Sequence, residues 1–258
     1  MNGLNENIRL CVLDLDGTIY IGNQAVDGAI DLIQFIRKQR KVVFFTNGSA
    51  SSLSQIHTKL NRLGVVCDPH DIYSSAAATL RYLVESELNN VYVIGSAEFC
   101  EDLERGGIHI VTSGDADHVV VGLDVNFSYQ KMAIALSVLI KGGKFIACNI
   151  DRYFPNGKTT YSPGCGAIVG ALSAASNRSP DCIVGKPSTY VLSQIAADYQ
   201  CCPNEIMVIG DSFESDMAMA TQYHCLGVLI DPQGEYAGEH NMITTKSVKE
   251  LLTMWRQF

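Results

Sequence analysis

Short apolar runs of strand character alternate with helix-length segments along this chain, and that alternation leaves few architectures open. "RLCVLDL" and "KVVFFT" read as buried strands, and between them "DGAIDLIQFIRKQ" places Ala29, Ile33 and Ile36 on one helical face. "SSLSQIHTKLNRLG" follows, with Leu53, Ile56, Leu60 and Leu63 at helical spacing and Gly64 as a C-terminal stop. Further strand runs, "NVYVIG", "DHVVVGLD", "KFIACN", "DCIVGK" and "EIMVIGD", are separated by segments such as "SYQKMAIALSVLIK" and "PSTYVLSQIAADY". Strand and helix in turn predict an α/β fold with a doubly wound parallel sheet, because a parallel connection needs a crossover long enough to hold a helix.

With 258 residues and 47% hydrophobic content, the chain can bury one sizeable core, or a core plus a smaller second domain. It has no repeats, low-complexity tracts or long Gly/Ser linker, so a second domain is expected as an insertion with short crossings. The net charge is -8 and the 19 Lys and Arg are thinly spread, which argues against a nucleic-acid or anionic-membrane surface. No apolar run approaches the roughly 18 to 20 residues that span a bilayer. "MNGLNENIRL" lacks the apolar middle of a secretion signal, so a cytoplasmic protein is expected. The nine cysteines show no CxxC or Cys/His ligand spacing, and reduced core thiols are the expectation.

Several strands end in polar residues: the first at Asp14 and Asp16, "KVVFFTN" at Thr46 and Asn47, "DCIVGKP" at Lys186 and "EIMVIGDSFESD" at Asp211. The carboxyl ends of parallel strands emerge on one edge, where ligands bind, so these far-apart stretches should converge on one crevice. Side chains at i and i+2 of a strand point the same way, and Gly17 lets the backbone turn at once. Three carboxylates, Asp14, Asp16 and Asp211, with a Lys and a Thr opposite, suit a hard divalent ion such as magnesium. A bound cation screens the carboxylates from an incoming phosphate dianion. Lys186 adds fixed positive charge and Thr46 a donor, which is what phosphoryl transfer demands.

Taken singly, each residue has a plainer reading. Asp14 and Asp16 fit a solvated strand end or another kind of metal pair, Thr46 a helix cap, and Asp216 a helix N-terminus. Asn149 and Asp151 fit an Asx turn, and Lys186 a surface lysine. His57 and His70 read as surface residues and His118 as a strand entrance. Tyr153 and Phe154 fit either a substrate cleft or a packed loop. Agreement in order and strand-end placement favours the joint functional reading.

In this order, "DLDGT", "FFTN", "VGKP" and "IGDSFESD" resemble the four motifs of the haloacid dehalogenase-like superfamily of aspartate-nucleophile phosphatases. More narrowly, the chain resembles the NagD-type (class IIA) phosphatases, through "DGTIYIGNQAVDGA", "VYVIGSAEF", "VVVGLDVNFSY", "CNIDRYFP", "SPGCGA" and "VGKPS". The resemblance implies a Rossmann-like core in two segments, 1–78 and 182–258, and an α/β cap inserted over 79–181. It makes Asp14 the nucleophile that becomes a phosphoaspartate and Asp16 the general acid and base. Thr46 and Asn47 would bind the transferred phosphoryl group, and Lys186 would orient Asp14 and neutralise charge. Mg2+ would be held by Asp14, Asp211 and the backbone carbonyl of Asp16, with Asp216 organising its water shell. Asn149 and Asp151 match an Asn-x-Asp-x-x-x-Pro loop near the substrate. Gly48, in the phosphoryl-binding loop, stands where the family commonly has a second Asn, so a side-chain contact there is missing or comes from elsewhere.

The implied activity is hydrolysis of a small-molecule phosphomonoester, drawn from sugar phosphates, nucleoside monophosphates, phosphoglycolate, pyridoxal phosphate and aryl phosphates. No nucleic-acid or membrane partner is expected, and a homo-oligomer is compatible with the sequence. Phosphotransfer or mutase chemistry is the nearest alternative. A phosphoaspartate signalling domain and a non-catalytic phosphoester-binding protein are the more distant ones. A signalling domain does not account for the strands and helices of the insertion, and a non-catalytic protein would be expected to lose Asp14 or Asp16.

Overall fold

A computed structural model describes residues 7–155, 160–236 and 242–256. Its main sheet has six parallel strands in the order Met242–Thr245, Leu226–Ile230, Ile206–Gly210, Leu10–Leu13, Lys41–Thr46, Ile72–Ser74. Leu10–Leu13 lies at the centre with every residue buried, as a strand covered by helices on both faces must be. Alternate residues divide between the two faces. Leu10 and Val12 join one apolar cluster, while Cys11 and Leu13 join the other, with the helices Ala29–Ile36 and Val248–Trp255.

A second parallel sheet, in the order Cys182–Ile183, Lys144–Ala147, His118–Val121, Asn90–Ile94, His109–Ile110, is inserted between the Ile72–Ser74 and Ile206–Gly210 strands of the first. The two sheets are not independent bodies joined by a linker. One apolar cluster runs from Val12, Val43 and Phe45 of the main sheet through Leu83 and Val184 to Val120 and Ile146 of the second. Contiguous burial of this kind ties the inserted sheet to the first.

One expectation about the sheet is corrected. The "DCIVGK" run was to bring Lys186 to the edge of the main sheet, but Cys182–Ile183 pairs with Lys144–Ala147 of the second. Lys186 reaches the main sheet from the crossing segment beyond that strand, its ammonium donating to the Phe45 carbonyl, and its bond to Pro187 is cis. An apolar run specifies burial, not which sheet supplies its hydrogen bonds.

The "SSLSQIHTKLNRLG" helix spans Leu53–Arg62 and is capped by Ser52, which exchanges hydrogen bonds with Gln55. Thr46 is therefore not its cap. Gly64 follows the helix at φ 88°, the left-handed conformation of a C-terminal stop. All nine cysteines are free thiols. Among the described residues no helix is long and apolar enough to cross a membrane.

Candidate active site

Asp14 stands one residue beyond the central strand, and its N–H still donates to the Ile209 carbonyl at 2.8 Å. The ladder thus delivers a carboxylate to the carboxyl edge of the sheet on a rigid backbone. Gly17 turns the chain at φ 97°, and any Cβ there would overlap the Asp211 carboxylate. Asp211 follows the neighbouring strand Ile206–Gly210, and Thr18 Oγ1 donates to its Oδ1 at 3.3 Å. A single π-helical turn, Phe213–Met217, then swings Asp216 back beneath it. Gly210 leaves room for that return, since a Cβ would collide with the Asp216 side chain.

Lys186 sits at the centre of this group. Its Nζ donates to Asp14 Oδ1 at 2.5 Å, to Asp216 Oδ1 at 2.7 Å and to the Phe45 carbonyl at 3.3 Å, with only 2% of the residue exposed. Asp16 lies on the open side. Its Oδ2 accepts from Tyr20 Oη at 3.2 Å and from Thr46 Oγ1 at 3.3 Å, and Thr46 Oγ1 in turn accepts from the Gly48 N–H at 2.9 Å. The Asp16 side chain is outside the acidic cluster and exposed.

The electrostatics follow from this packing. Burial pushes the Asp14 carboxyl well above the usual carboxylate range, opposed by Lys186 and reinforced by Asp216 and Asp211. Burial also works against the charge on Lys186, but Asp14 and Asp216 outweigh it and hold the ammonium firmly protonated. Asp211 is pushed up to about 7, first by desolvation and then by Asp216. Asp14 Oδ2 is buried without a hydrogen-bond partner, and one oxygen from each of Asp14, Asp211 and Asp216 lies within 4.8 Å of the others. An orphaned carboxylate oxygen is expensive to bury, and a set of carboxylate oxygens is what a hard divalent cation binds. These residues fit magnesium.

Family models of the haloacid dehalogenase-like hydrolase and of its HAD-hydrolase-like counterpart match residues 11–109 and 183–245. An acid sugar phosphatase of Staphylococcus epidermidis is 32% identical over 214 residues, 82% of each chain. The chain belongs to the haloacid dehalogenase-like superfamily. Within it the likeness is to NagD-type phosphatases. NagD from E. coli K-12 superposes with a TM-score of 0.83 at 26% identity, covering 94% of this chain and 98% of that one. A p-nitrophenyl phosphatase from Archaeoglobus fulgidus gives 0.86 at 25% identity, covering 96% and 99%. The protein is a phosphatase of this superfamily, with the mixed α/β fold that the alternation predicts.

For this NagD-type phosphatase the structure gathers Asp14, Asp16, Thr46, Lys186, Asp211 and Asp216 at the carboxyl edge of the main sheet. Lys186 is buried rather than on the surface. Asp216 accepts from Ser212 N at 3.2 Å as well as from Lys186, so it does more than favour a helix end. Asn149 does make an Asx turn, accepting from Asp151 N at 3.1 Å, but its Nδ2 also donates to the Asn47 carbonyl. Burial raises the Asp151 carboxyl above its usual value, against the pull of Lys186 and Asn47. Gly48 is exposed and contributes its N–H to Thr46. His57 is taken up by the Cys67 carbonyl, at 3.0 Å, and His118 Nδ1 accepts from Lys144 N. Tyr153 is 62% exposed and packs edge-on against Tyr161.

Sequence reasoning missed Tyr20 and Thr18, which hold Asp16 and Asp211. The only signal was their place in "DLDGTIY", within one tight turn after the nucleophile candidate: Gly17 N donates to the Tyr20 carbonyl at 2.8 Å. It missed Lys59 as well, whose Nζ lies 3.4 Å from the centroid of the Tyr20 ring.

Proposed function

We propose that this phosphatase is a magnesium-dependent phosphomonoester hydrolase working through a phosphoaspartate on Asp14. The observation that carries the reading is the buried Asp14 carboxylate, bound on one oxygen by Lys186 and unpartnered on the other. Asp14, Asp211 and the Asp16 carbonyl would hold the ion, with Asp216 behind them. When bound, the ion neutralises phosphate charge that three carboxylates would otherwise repel.

Asp14 attacks phosphorus while the bond to the leaving oxygen breaks. Asp16, positioned by Tyr20 and Thr46, gives that oxygen its proton and the alcohol leaves. Asp16 then takes a proton from the water that cleaves the acyl phosphate, which releases inorganic phosphate and restores Asp14. Lys186 keeps Asp14 oriented and compensates charge through both steps. Residues 79–181 are proposed as the cap; the second sheet, from Asn90 to Ile183, supports this and runs just past that limit. The name of the staphylococcal relative favours a sugar phosphate as substrate.

A panel of sugar, nucleoside and aryl phosphomonoesters, assayed for phosphate release with magnesium and with excess EDTA, tests the reading. Release with magnesium, lost on chelation, is expected, together with a phosphate-sized mass increase on the Asp14 peptide in a quenched reaction. Full activity in EDTA overturns the metal assignment, and turnover without covalent phosphate overturns the nucleophile.

A further inference from the structure

The side-chain amide of Asn47 is fully occupied by neighbours from outside its own loop. Its Oδ1 accepts from the Lys186 N–H at 2.8 Å, and its Nδ2 donates to the Lys186 carbonyl at 3.0 Å and to Asp151 Oδ1 at 3.0 Å. Only one orientation of the amide serves, because the reverse would set Nδ2 against a main-chain donor. The Asn47 carbonyl accepts from Asn149 Nδ2 at 2.6 Å and from Ser75 Oγ at 2.7 Å. One buried residue beside Thr46 therefore grips the 149–151 loop, the crossing segment at Lys186 and the start of the Ser75–Glu85 helix. The approach is close enough that a Cβ on Gly185 would lie 2.5 Å from Asn47 Oδ1 and 2.6 Å from the Cys148 carbonyl.

Lys186 is thus held at both ends. Its ammonium is set by Asp14, Asp216 and the Phe45 carbonyl, and its main chain by both faces of one amide. We propose that Asn47 is a positioning residue that sets Lys186 against Asp14 and couples that setting to the inserted sheet through Asp151. The inference rests on the phosphatase mechanism above. With both Nδ2 protons engaged, the side chain has no donor left for a phosphoryl oxygen, so its part in the reaction runs through Lys186.

The test compares phosphate release from one alkyl and one aryl monoester by the wild type, Asn47→Ala, Lys186→Met and the double variant. Asn47→Ala is expected to lower kcat by about 10 to 10²-fold, equally for both leaving groups, as misplacement of a charged group does. On the Lys186→Met background it should add less than about twofold, because residues acting as one unit are not additive. Asn47→Asp should do no better than Ala, since it loses both donations and faces Asp151 with like charge. Hydrogen exchange in the metal-free protein should quicken at Lys186 and over 149–151 in Asn47→Ala. Asn47→Ser replaces it where the alanine variant melts far below the wild type; the carbonyl bonds from Asn149 and Ser75 survive either change. A kcat within about twofold of wild type, an effect that multiplies fully with Lys186→Met, or a loss confined to alkyl substrates overturns the proposal. If the wild type itself releases no phosphate, the proposed function fails, while the exchange measurement still reads the positioning.

Discussion

Each of the two sheets places an aspartate just past the carboxyl end of a strand near its middle and pairs it with a lysine, yet only one pair is left open. In the inserted sheet Asp124 follows His118–Val121; its Oδ2 accepts from Lys131 at 2.5 Å and its Oδ1 from the Asn126 N–H at 2.8 Å. Both oxygens are satisfied, and the lysine side chain is 37% exposed. In the main sheet Asp14 has the same 2.5 Å contact, but its lysine side chain is 3% exposed and shared with Asp216, and the second Asp14 oxygen has no partner. Fold position and pair chemistry are alike. Completeness separates them: a closed ion pair stabilises a loop, whereas an open one is poised for a ligand.

The sharpest way to break the comparison is to neutralise each aspartate. Asp14→Asn is expected to abolish turnover, because an amide cannot form the covalent intermediate, while Asp124→Asn leaves kcat within about twofold of wild type. Phosphate release by both variants, with deamidation excluded by mass, decides it. Next in size, Asp16→Asn should lower kcat by about 10² to 10⁴-fold on an alkyl phosphate. With a good aryl leaving group it should accumulate covalent phosphate on Asp14, seen as a burst; equal rates with wild type on both substrates would remove Asp16 from proton transfer.

Lys186→Met should raise KM and lower kcat by on the order of 10², since a buried phosphate charge loses its fixed partner. Lys131→Met should leave both constants near wild type and lower stability by about 1 kcal/mol, as half-exposed ion pairs do. Denaturant titration alongside the kinetics separates the two lysines.

The smallest effect is on pH and metal. Burial raises the Asp14 carboxyl above its ordinary 3.8, so the metal-free folded state holds a proton there to higher pH than the unfolded chain does. Stability from this source is therefore present at low pH and declines as pH rises above 3.8. In EDTA, the thermal midpoint of wild type should fall between pH 5 and pH 8 relative to Asp14→Asn, and magnesium should restore it most at pH 8. Parallel curves for the two proteins would mean that Asp14 carries no such strain.

Asp14, Asp16, Thr46 and Asp211 were legible because strand periodicity and the rule for parallel sheet edges place strand-terminal side chains without any knowledge of their neighbours. Asp124 ends the "DHVVVGLD" run in much the same way as Asp14 ends "RLCVLDL", and nothing local marks one as closed and the other as open. The strands Ile72–Ser74, Leu226–Ile230 and Met242–Thr245 were not read individually, although they complete the main sheet.

Alternating apolar runs, short crossings and polar strand ends, all local properties of the chain, determined a parallel α/β fold with an acidic crevice at a sheet edge. Only tertiary structure decided that Cys182–Ile183 joins the inserted sheet, that Lys186 lies buried between Asp14 and Asp216, and that the Asn47 amide brackets its main chain. Those contacts join residues 30 to 172 positions apart. They depend on which hydrogen-bond partners remain when two sheets pack through one core, and no pattern of neighbours along the chain encodes that remainder.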